Sequence, residues 1–179
     1  MPPAAETASP SQPSIGSLLL RAGLLTGFCD GLFSISLAVL AYHSTVQRLF
    51  QGVASTLLGP GALDGGPRTA IIGVLMHIGV AFGWSTVFLL LLLQSAAIRA
   101  LLARPYGVIA VASLYGPFVW LVMSLAVIPL LRHRAPAISL RWWIQLVGHF
   151  PFVGLPIVAS IGRGLSRAAT PGQRGEAHG

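Results

Sequence analysis

The stretch "TAIIGVLMHIGVAFGWSTVFLLLLLQSAAI", residues 69–98, runs for 30 residues without a charged side chain. A helix needs about 20 apolar residues to cross a hydrocarbon core about 30 Å thick, so this stretch is long enough to span a membrane. Three further runs between arginines lie at 22–47, 105–131 and 142–162, the first interrupted only by Asp30. With 54% hydrophobic and 8% charged residues in 179, the sequence predicts an all-α polytopic membrane protein.

We predict four transmembrane helices, at about 17–42, 70–97, 107–131 and 141–163. A shorter helix is predicted at about 45–58, where Val46, Leu49, Phe50, Val53 and Leu57 recur at helical spacing, with Gln51 and Ser55 on other faces. It is too short to span. Two interpretations remain open: an amphipathic helix lying in the membrane interface, or a short helix packed over the ends of the bundle.

The expected organisation has three parts. Residues 17–163 form the four-helix transmembrane bundle together with the interfacial helix. Residues 1–16 are expected to be a disordered polar N-terminal arm, and residues 164–179 a disordered basic C-terminal tail. The chain is thus expected to have no extramembrane domain.

The net charge of +7 comes from arginine alone, since the sequence contains no lysine. Because the arginines stand at the ends of apolar runs, we interpret them as interfacial anchors and topology signals. Six arginines against five favour both termini in the cytoplasm. The expected partners are the lipid bilayer, and other membrane subunits or a second copy of the chain, with no nucleic acid.

Small residues and prolines stand out inside the predicted helices. Gly27 and Gly31 in the first helix, and Gly79 and Gly83 in the second, have the spacing that lets helices approach closely in lipid. Pro151 and Pro156 follow His149 in the fourth helix and remove backbone hydrogen bonds there. We therefore predict helix packing at the four glycines and a kink at the two prolines.

The ionisable residues inside these helices are Asp30, His77 and His149. A charged side chain at the bilayer centre costs about 2.5–3.5 kcal/mol on insertion scales and normally has a partner. A rise of about 1.5 Å per residue places the two histidines at similar depth, with Asp30 and Ser124 close to that level. The sequence predicts one polar cluster of Asp30, His77, His149 and Ser124, with Asp30 paired to a histidine.

Four interpretations of this cluster remain open: a structural hydrogen-bond cluster, a proton-binding site, a metal site, and bis-histidine haem ligation by His77 and His149. No HxxxH or HxxE spacing supports a metal, so we predict no metal and no cofactor. The sequence has no GxSxG elbow, Walker A loop, HExxH or CxxC, so we predict neither catalytic residues nor enzymatic activity.

Four segments resemble a known group of small four-span bacterial integral membrane proteins. They are "LLGPGALDGGPR", "IIGVLMHIGVAF", "LYGPFVWLVMS" and "HFPFVGLPI", similar to LLGxxAxxGG, LGxxLHFxIA, LYGxxVYxVMN and HxxxxGLPI. The resemblance covers about residues 20–162 and includes Asp30, His77, Tyr115 and His149; Ser124 departs from it, since Asn is more usual there. It implies a multi-pass location in the bacterial inner membrane and implies no activity.

The sequence therefore leaves three hypotheses for function. The first is a helical subunit or stabiliser of a membrane assembly. The second is a small proton-linked carrier or sensor, in which Asp30 and His77 carry the proton and His149 assists. An enzyme acting on a lipid or isoprenoid is a distant third.

Overall fold

The computed structural model describes residues 14–168, of which 88% are helical and none forms a strand. Four of the helices are long and apolar enough to cross a membrane, so the all-α prediction with four transmembrane helices is confirmed. The predicted arm and tail lie largely outside the described residues. Where they overlap, the first helix already begins at Ile15 and the last continues to Ala168.

The described chain forms six helices, three of which contain a π-helical turn. These are α1 (Ile15–Ser36, then the π turn Leu37–Ala41), α2 (Val46–Leu58), α3 (Gly66–Gln94), α4 (Ala96–Leu102), α5 (Gly107–Val122, the π turn Met123–Val127, then Ile128–Arg132) and α6 (Leu140–His149, the π turn Phe150–Gly154, then Leu155–Ala168). A short 3₁₀ turn, Pro60–Asp64, joins α2 to α3. The transmembrane helices are α1, α3, α5 and α6.

The second transmembrane helix ends earlier than predicted, at Gln94, and the short helix α4 was not predicted. Ser95 adopts an extended conformation, and its hydroxyl accepts a hydrogen bond from the Ile98 N–H at 3.3 Å, which starts α4. The Arg99 guanidinium donates to the carbonyls of Leu92 and Leu93, both at 2.8 Å. These bonds satisfy carbonyls that the end of α3 leaves without helical partners.

Helix α2 packs along the first part of α3. At Gly73 a β-carbon would overlap the carbonyl of Phe50, so glycine permits a close backbone approach. Gln51 and Ser55, which the sequence placed away from the apolar face, are buried. The Gln51 amide donates to the Gly66 carbonyl at 3.1 Å, which explains why a polar side chain lies inward. The structure shows α2 packed against α3, and its position in the membrane interface stays a prediction.

The bundle has a closed half and an open half. The hydrophobic core lies where α1 and α5 begin and where α3 and α6 end, and it includes Ala22, Phe88, Val111, Ala112, Ile157 and Ile161. This is the half nearest the two described chain ends, Ser14 and Ala168. Toward the opposite face the four helices surround a cavity, which α2 walls on one side. The tightly packed side chains therefore lie in the half of the bundle near the described chain ends, and the cavity lies in the opposite half.

Candidate functional site

A cavity of about 650 Å³ lies between α1, α2, α3, α5 and α6. Two polar rows face it, each with the four-residue spacing that keeps side chains on one helix face. The rows are Thr26, Asp30 and Ser34 on α1, and Arg141, Gln145 and His149 on α6. The rest of the wall is mainly apolar. The cavity therefore presents polar groups along its length rather than at one point.

Asp30 and His77 face each other across this cavity, with Asp30 Oδ2 at 3.9 Å from His77 Nδ1. The other ring nitrogen, Nε2, lies 3.1 Å from the Gly27 carbonyl oxygen. Because a carbonyl can only accept, Nε2 carries a hydrogen and donates it. In neutral His77 the nitrogen toward Asp30 is then the one with the lone pair.

Gly27 and Gly31 lie beside this contact. A β-carbon at Gly31 would lie 3.5 Å from His77 Nε2, and one at Gly27 would lie 3.7 Å from the β-carbon of Ala81. Both glycines therefore lie on the face of α1 that packs against α3. The stripe of small residues brings the His77 ring close to the α1 backbone, which lets it reach the Gly27 carbonyl.

His149 is held in a different way. Its Nδ1 lies 2.7 Å from the carbonyl of Gln145, one turn earlier, so Nδ1 donates and Nε2 is left as the accepting nitrogen. The Trp120 ring lies against it, with 4.8 Å between ring centroids. His149 is buried and lines the same cavity as Asp30 and His77. The three ionisable groups therefore share one cavity.

The backbone around His149 is fixed by glycines on two helices. A β-carbon at Gly116 of α5 would overlap the His149 carbonyl, and one at Gly154 would overlap the Ala112 carbonyl. The predicted break at Pro151 and Pro156 is a π-helical turn, in which the Leu155 N–H donates to the Phe150 carbonyl five residues earlier. Proline supplies no N–H, which accounts for a widened turn at this point.

Four buried side-chain atoms have no hydrogen-bond partner within residues 14–168, and all four belong to residues that line the cavity. They are the acceptors Asp30 Oδ1 and Gln145 Oε1, the donor Trp120 Nε1, and the hydroxyl of Thr26. Thr26 and Gln145 are only 2% and 8% exposed. Buried polar atoms are nearly always hydrogen-bonded in proteins, so this set marks a place built for polar contacts.

Three arginines line the open end of the cavity, and we call Arg48, Arg132 and Arg141 the arginine mouth. Arg132 donates to the Ser55 hydroxyl at 2.5 Å, and the Arg141 guanidinium lies 4.7 Å from the centroid of the Tyr42 ring. Arg48 lies 3.9 Å from Asp64, in an exposed pair. Within the described chain Arg132 and Arg141 have no carboxylate partner, so the mouth is electropositive.

The structure separates Ser124 from the predicted cluster. Ser124 lies outside the cavity lining, and its hydroxyl accepts a hydrogen bond from Trp142 Nε1 at 3.0 Å. Gly79 and Gly83 also differ from expectation, because no atom of the described chain lies within 4 Å of where their β-carbons would be. These two glycines therefore face outward from α3 and pack against nothing in residues 14–168.

Sequence reasoning missed two components of the site. Trp120 carries a buried, unpartnered N–H beside His149, but a tryptophan in an apolar helix gives no signal that distinguishes it from a packing residue. The arginine mouth was interpreted only as a set of topology signals. The four-residue spacing of Arg141, Gln145 and His149 could have indicated the arginine mouth, because it continues one polar face to the start of α6.

No three histidine, cysteine, aspartate or glutamate side chains of residues 14–168 are grouped so that they could hold a metal ion. Each histidine of the site uses one ring nitrogen for a backbone carbonyl, His77 Nε2 for Gly27 and His149 Nδ1 for Gln145. The other ring nitrogen of each can take part in proton exchange or hydrogen bonding.

The fold and the site define an integral membrane protein whose helical bundle encloses a cavity lined by ionisable side chains. No family model matches the chain, and no curated protein or solved structure is significantly similar to it. Its function is therefore argued from the cavity itself.

Proposed function

We propose that the chain is a small proton-linked carrier or sensor of the bacterial inner membrane, with both termini in the cytoplasm. The observation that carries the proposal is the approach of Asp30 Oδ2 to His77 Nδ1 at 3.9 Å, with His77 Nε2 already donating to the Gly27 carbonyl. In this role Asp30 and His77 hold the proton, and His149 assists.

The pair offers a place for one proton between Asp30 Oδ2 and His77 Nδ1. Without it, the lone pair of Nδ1 and an ionised carboxylate face each other and repel. With it, either the imidazolium and carboxylate attract, or a neutral carboxyl donates to the ring. Such differences are larger inside a protein than in water, because the effective dielectric constant is lower.

The surroundings supply the other parts of a proton site. The charged and titratable groups that line the cavity together with the pair are His149 and Arg141 from α6, Arg132 from α5 and Arg48 from α2. Cys29, next to Asp30 on α1, lies outside the lining. Asp30 lies 11 residues from the end of α1 at Ala41, which is about 16 Å of helix. The cavity connects this depth to the arginine mouth, so water can deliver a proton.

The test uses the purified chain in liposomes that contain a pH-sensitive dye. A pH gradient should drive a proton flux, alone or with a solute, that Asp30→Asn abolishes while the helical circular dichroism spectrum is retained. Asp64→Asn is the matched control, because Asp64 is exposed and lies outside the cavity pair. Flux or proton release that is identical in the unmodified chain and in Asp30→Asn would overturn the proposal.

A second candidate function, a subunit of a membrane assembly, is favoured by the outward-facing Gly79 and Gly83. Such a pair on a lipid-facing surface suits close contact with another helix. Affinity purification from native membranes in mild detergent, followed by mass spectrometry, should recover a partner that Gly79→Leu and Gly83→Leu each lose. A second copy as the partner is tested by cross-linking. Unchanged recovery in both variants would contradict this role.

A further inference from the structure

We infer that the cavity takes a small monocarboxylic acid with an apolar body, attracted as the anion at the arginine mouth and held with one proton at the level of Asp30 and His77. The inference rests on the proposed function and names its ligand class. It uses three observations that proton binding alone leaves without a role: the arginines, the apolar walls, and the unpartnered polar atoms.

The charge at the mouth selects an anion. Arg132 and Arg141 have no carboxylate partner in the described chain, and Arg48 is only partly compensated by the exposed Asp64. A cation entering the cavity would pass all three guanidinium groups. Arginine also binds carboxylates through two parallel N–H groups, which gives geometric preference as well as attraction.

The cavity walls between the arginine mouth and the level of Asp30 favour a ligand with an apolar body. This region is lined by Leu49 and Val53 of α2 and by Val127, Ile128 and Leu131 of α5. The volume of about 650 Å³ lies within the range of sites for small molecules. An inorganic anion such as phosphate would leave these side chains without contacts, so a hydrocarbon or aromatic body fits better.

The depth of the cavity matches a protonated carboxyl group. Asp30 Oδ1 and Gln145 Oε1 are acceptors without partners, and Trp120 Nε1 is a donor without one. A carboxylic acid offers one O–H to an acceptor and one carbonyl oxygen to a donor. Thr26, whose hydroxyl can donate or accept, supplies a further contact from the row on α1.

The proton count follows from Asp30. Two carboxylates that share a site do not both ionise, because like charges at this distance disfavour the second ionisation. An anion that reaches Asp30 must therefore bring one proton, taken from water at the mouth and placed between the two carboxyl groups or on His77. The other charged and titratable groups that line the cavity are His149, Arg48, Arg132 and Arg141, while Cys29 of α1 lies outside the lining. The loaded site thus carries the same net charge as the site without ligand.

The experiment measures binding to the full chain in neutral detergent, using the fluorescence of Trp84 and Trp120, which line the cavity. The probes are hexanoate, hexan-1-ol, hexylamine and inorganic phosphate. Hexanoate should give a saturable change at concentrations where the other three give none. Its apparent affinity should rise about tenfold for each pH unit of acidification across the neutral range, because one proton binds with it. Asp30→Asn should flatten this dependence.

The arginines are tested by Arg132→Gln combined with Arg141→Gln, which should weaken hexanoate binding by tenfold or more. Arg134→Gln is the matched control, because Arg134 lies in the connection between these two arginines and outside the cavity lining. If the glutamine variant does not fold, Arg132→Lys with Arg141→Lys keeps both charges and should still bind hexanoate. Binding of hexylamine in preference to hexanoate by the unmodified chain would overturn the inference without any variant.

Two sources of the acid are distinguished by adding oleate in nanodiscs as a further probe. Hexanoate binding shows an acid that enters from water, oleate binding alone shows one that enters from the bilayer, and binding of neither overturns the inference. If neither binds but proton release still depends on Asp30, the carboxylic acid is wrong and the proposed function stands. If proton flux is independent of Asp30, the proposed function itself fails.

Discussion

Asp30 Oδ2 lies 3.9 Å from His77 Nδ1, while Nε2 of the same ring lies 3.1 Å from the Gly27 carbonyl oxygen. The backbone of α1 thus holds one nitrogen of His77, and the side chain three residues further along α1 faces the other nitrogen. The hydrogen bond from Nε2 to Gly27 orients the ring so that Nδ1 faces Asp30. Attraction between Nδ1 and the Asp30 carboxyl group then depends on a proton on one of them. This arrangement makes specific predictions about where hydrogens reside.

We expect the two histidines that line the cavity to show opposite tautomers when neutral. His77 should carry its hydrogen on Nε2, because Gly27 offers only an acceptor, and His149 should carry it on Nδ1, because the Gln145 carbonyl does the same. Nitrogen-15 NMR of the histidine-labelled chain in lipid measures this directly. His77→Gln and His149→Gln assign the two signals by their loss.

The same nitrogen-15 NMR measurement on Asp30→Asn tests the assignment of the His77 hydrogen. An asparagine amide can donate to Nδ1, so neutral His77 should remain a single Nε2–H tautomer, while His149 keeps its tautomer. A neutral His77 with its hydrogen on Nδ1 would contradict the contact to Gly27 and, with it, the assignment of the proton site.

Ser124→Ala should lower stability without affecting the cavity. The substitution leaves Trp142 Nε1 buried without its acceptor, which costs about 1–3 kcal/mol. Thermal unfolding in detergent should show the loss, and proton release should be unchanged. Ser113→Ala is the control, because Ser113 is exposed and bonds only within its own helix; we expect it to change stability by less than about 0.5 kcal/mol. Loss of proton release in Ser124→Ala would show that Ser124 does belong to the site.

Tyr115→Phe should cost about 0.5–1.5 kcal/mol, because the buried phenol donates to the Trp84 carbonyl at 2.6 Å and joins α5 to α3. Tyr106→Phe is the matched control, since Tyr106 is 82% exposed in the α4–α5 connection. Chemical denaturation that gives equal stability for both variants would show that the hydroxyl contributes nothing to the contact between these helices.

The sequence predicts the four transmembrane helices and the height of the ionisable residues, because charge-free runs and helical rise determine both. Height alone does not say which way a side chain points around the helix axis. Ser124 lies in the π turn Met123–Val127, whose extra residue changes the direction of side chains relative to a regular helix. It therefore shares the level of Asp30 and His77 and still contacts Trp142 instead of the cavity.

The glycines illustrate the same limit. A GxxxG spacing predicts a face where a helix can be approached closely, but the sequence does not say which neighbour comes there. Gly27 and Gly31 face α3, whereas Gly79 and Gly83 face away from every described helix. The sequence also did not predict the arginine mouth, because an arginine at the end of a transmembrane helix serves as an anchor in most membrane proteins.

Gly116→Ala and Gly79→Ala make a matched pair that tests how His149 is held. An added methyl group at Gly116 would overlap the His149 carbonyl, so α5 and α6 must separate, at a cost of about 1–3 kcal/mol. At Gly79 nothing in the described chain lies within 4 Å, and replacing a helical glycine by alanine stabilises the helix by roughly 0.5–1 kcal/mol. Thermal unfolding should therefore move in opposite directions. In Gly116→Ala the nitrogen-15 signal of His149 should also shift, because the backbone that positions the ring has moved. Equal unfolding temperatures for the two variants would mean that the close crossing at Gly116 does not exist.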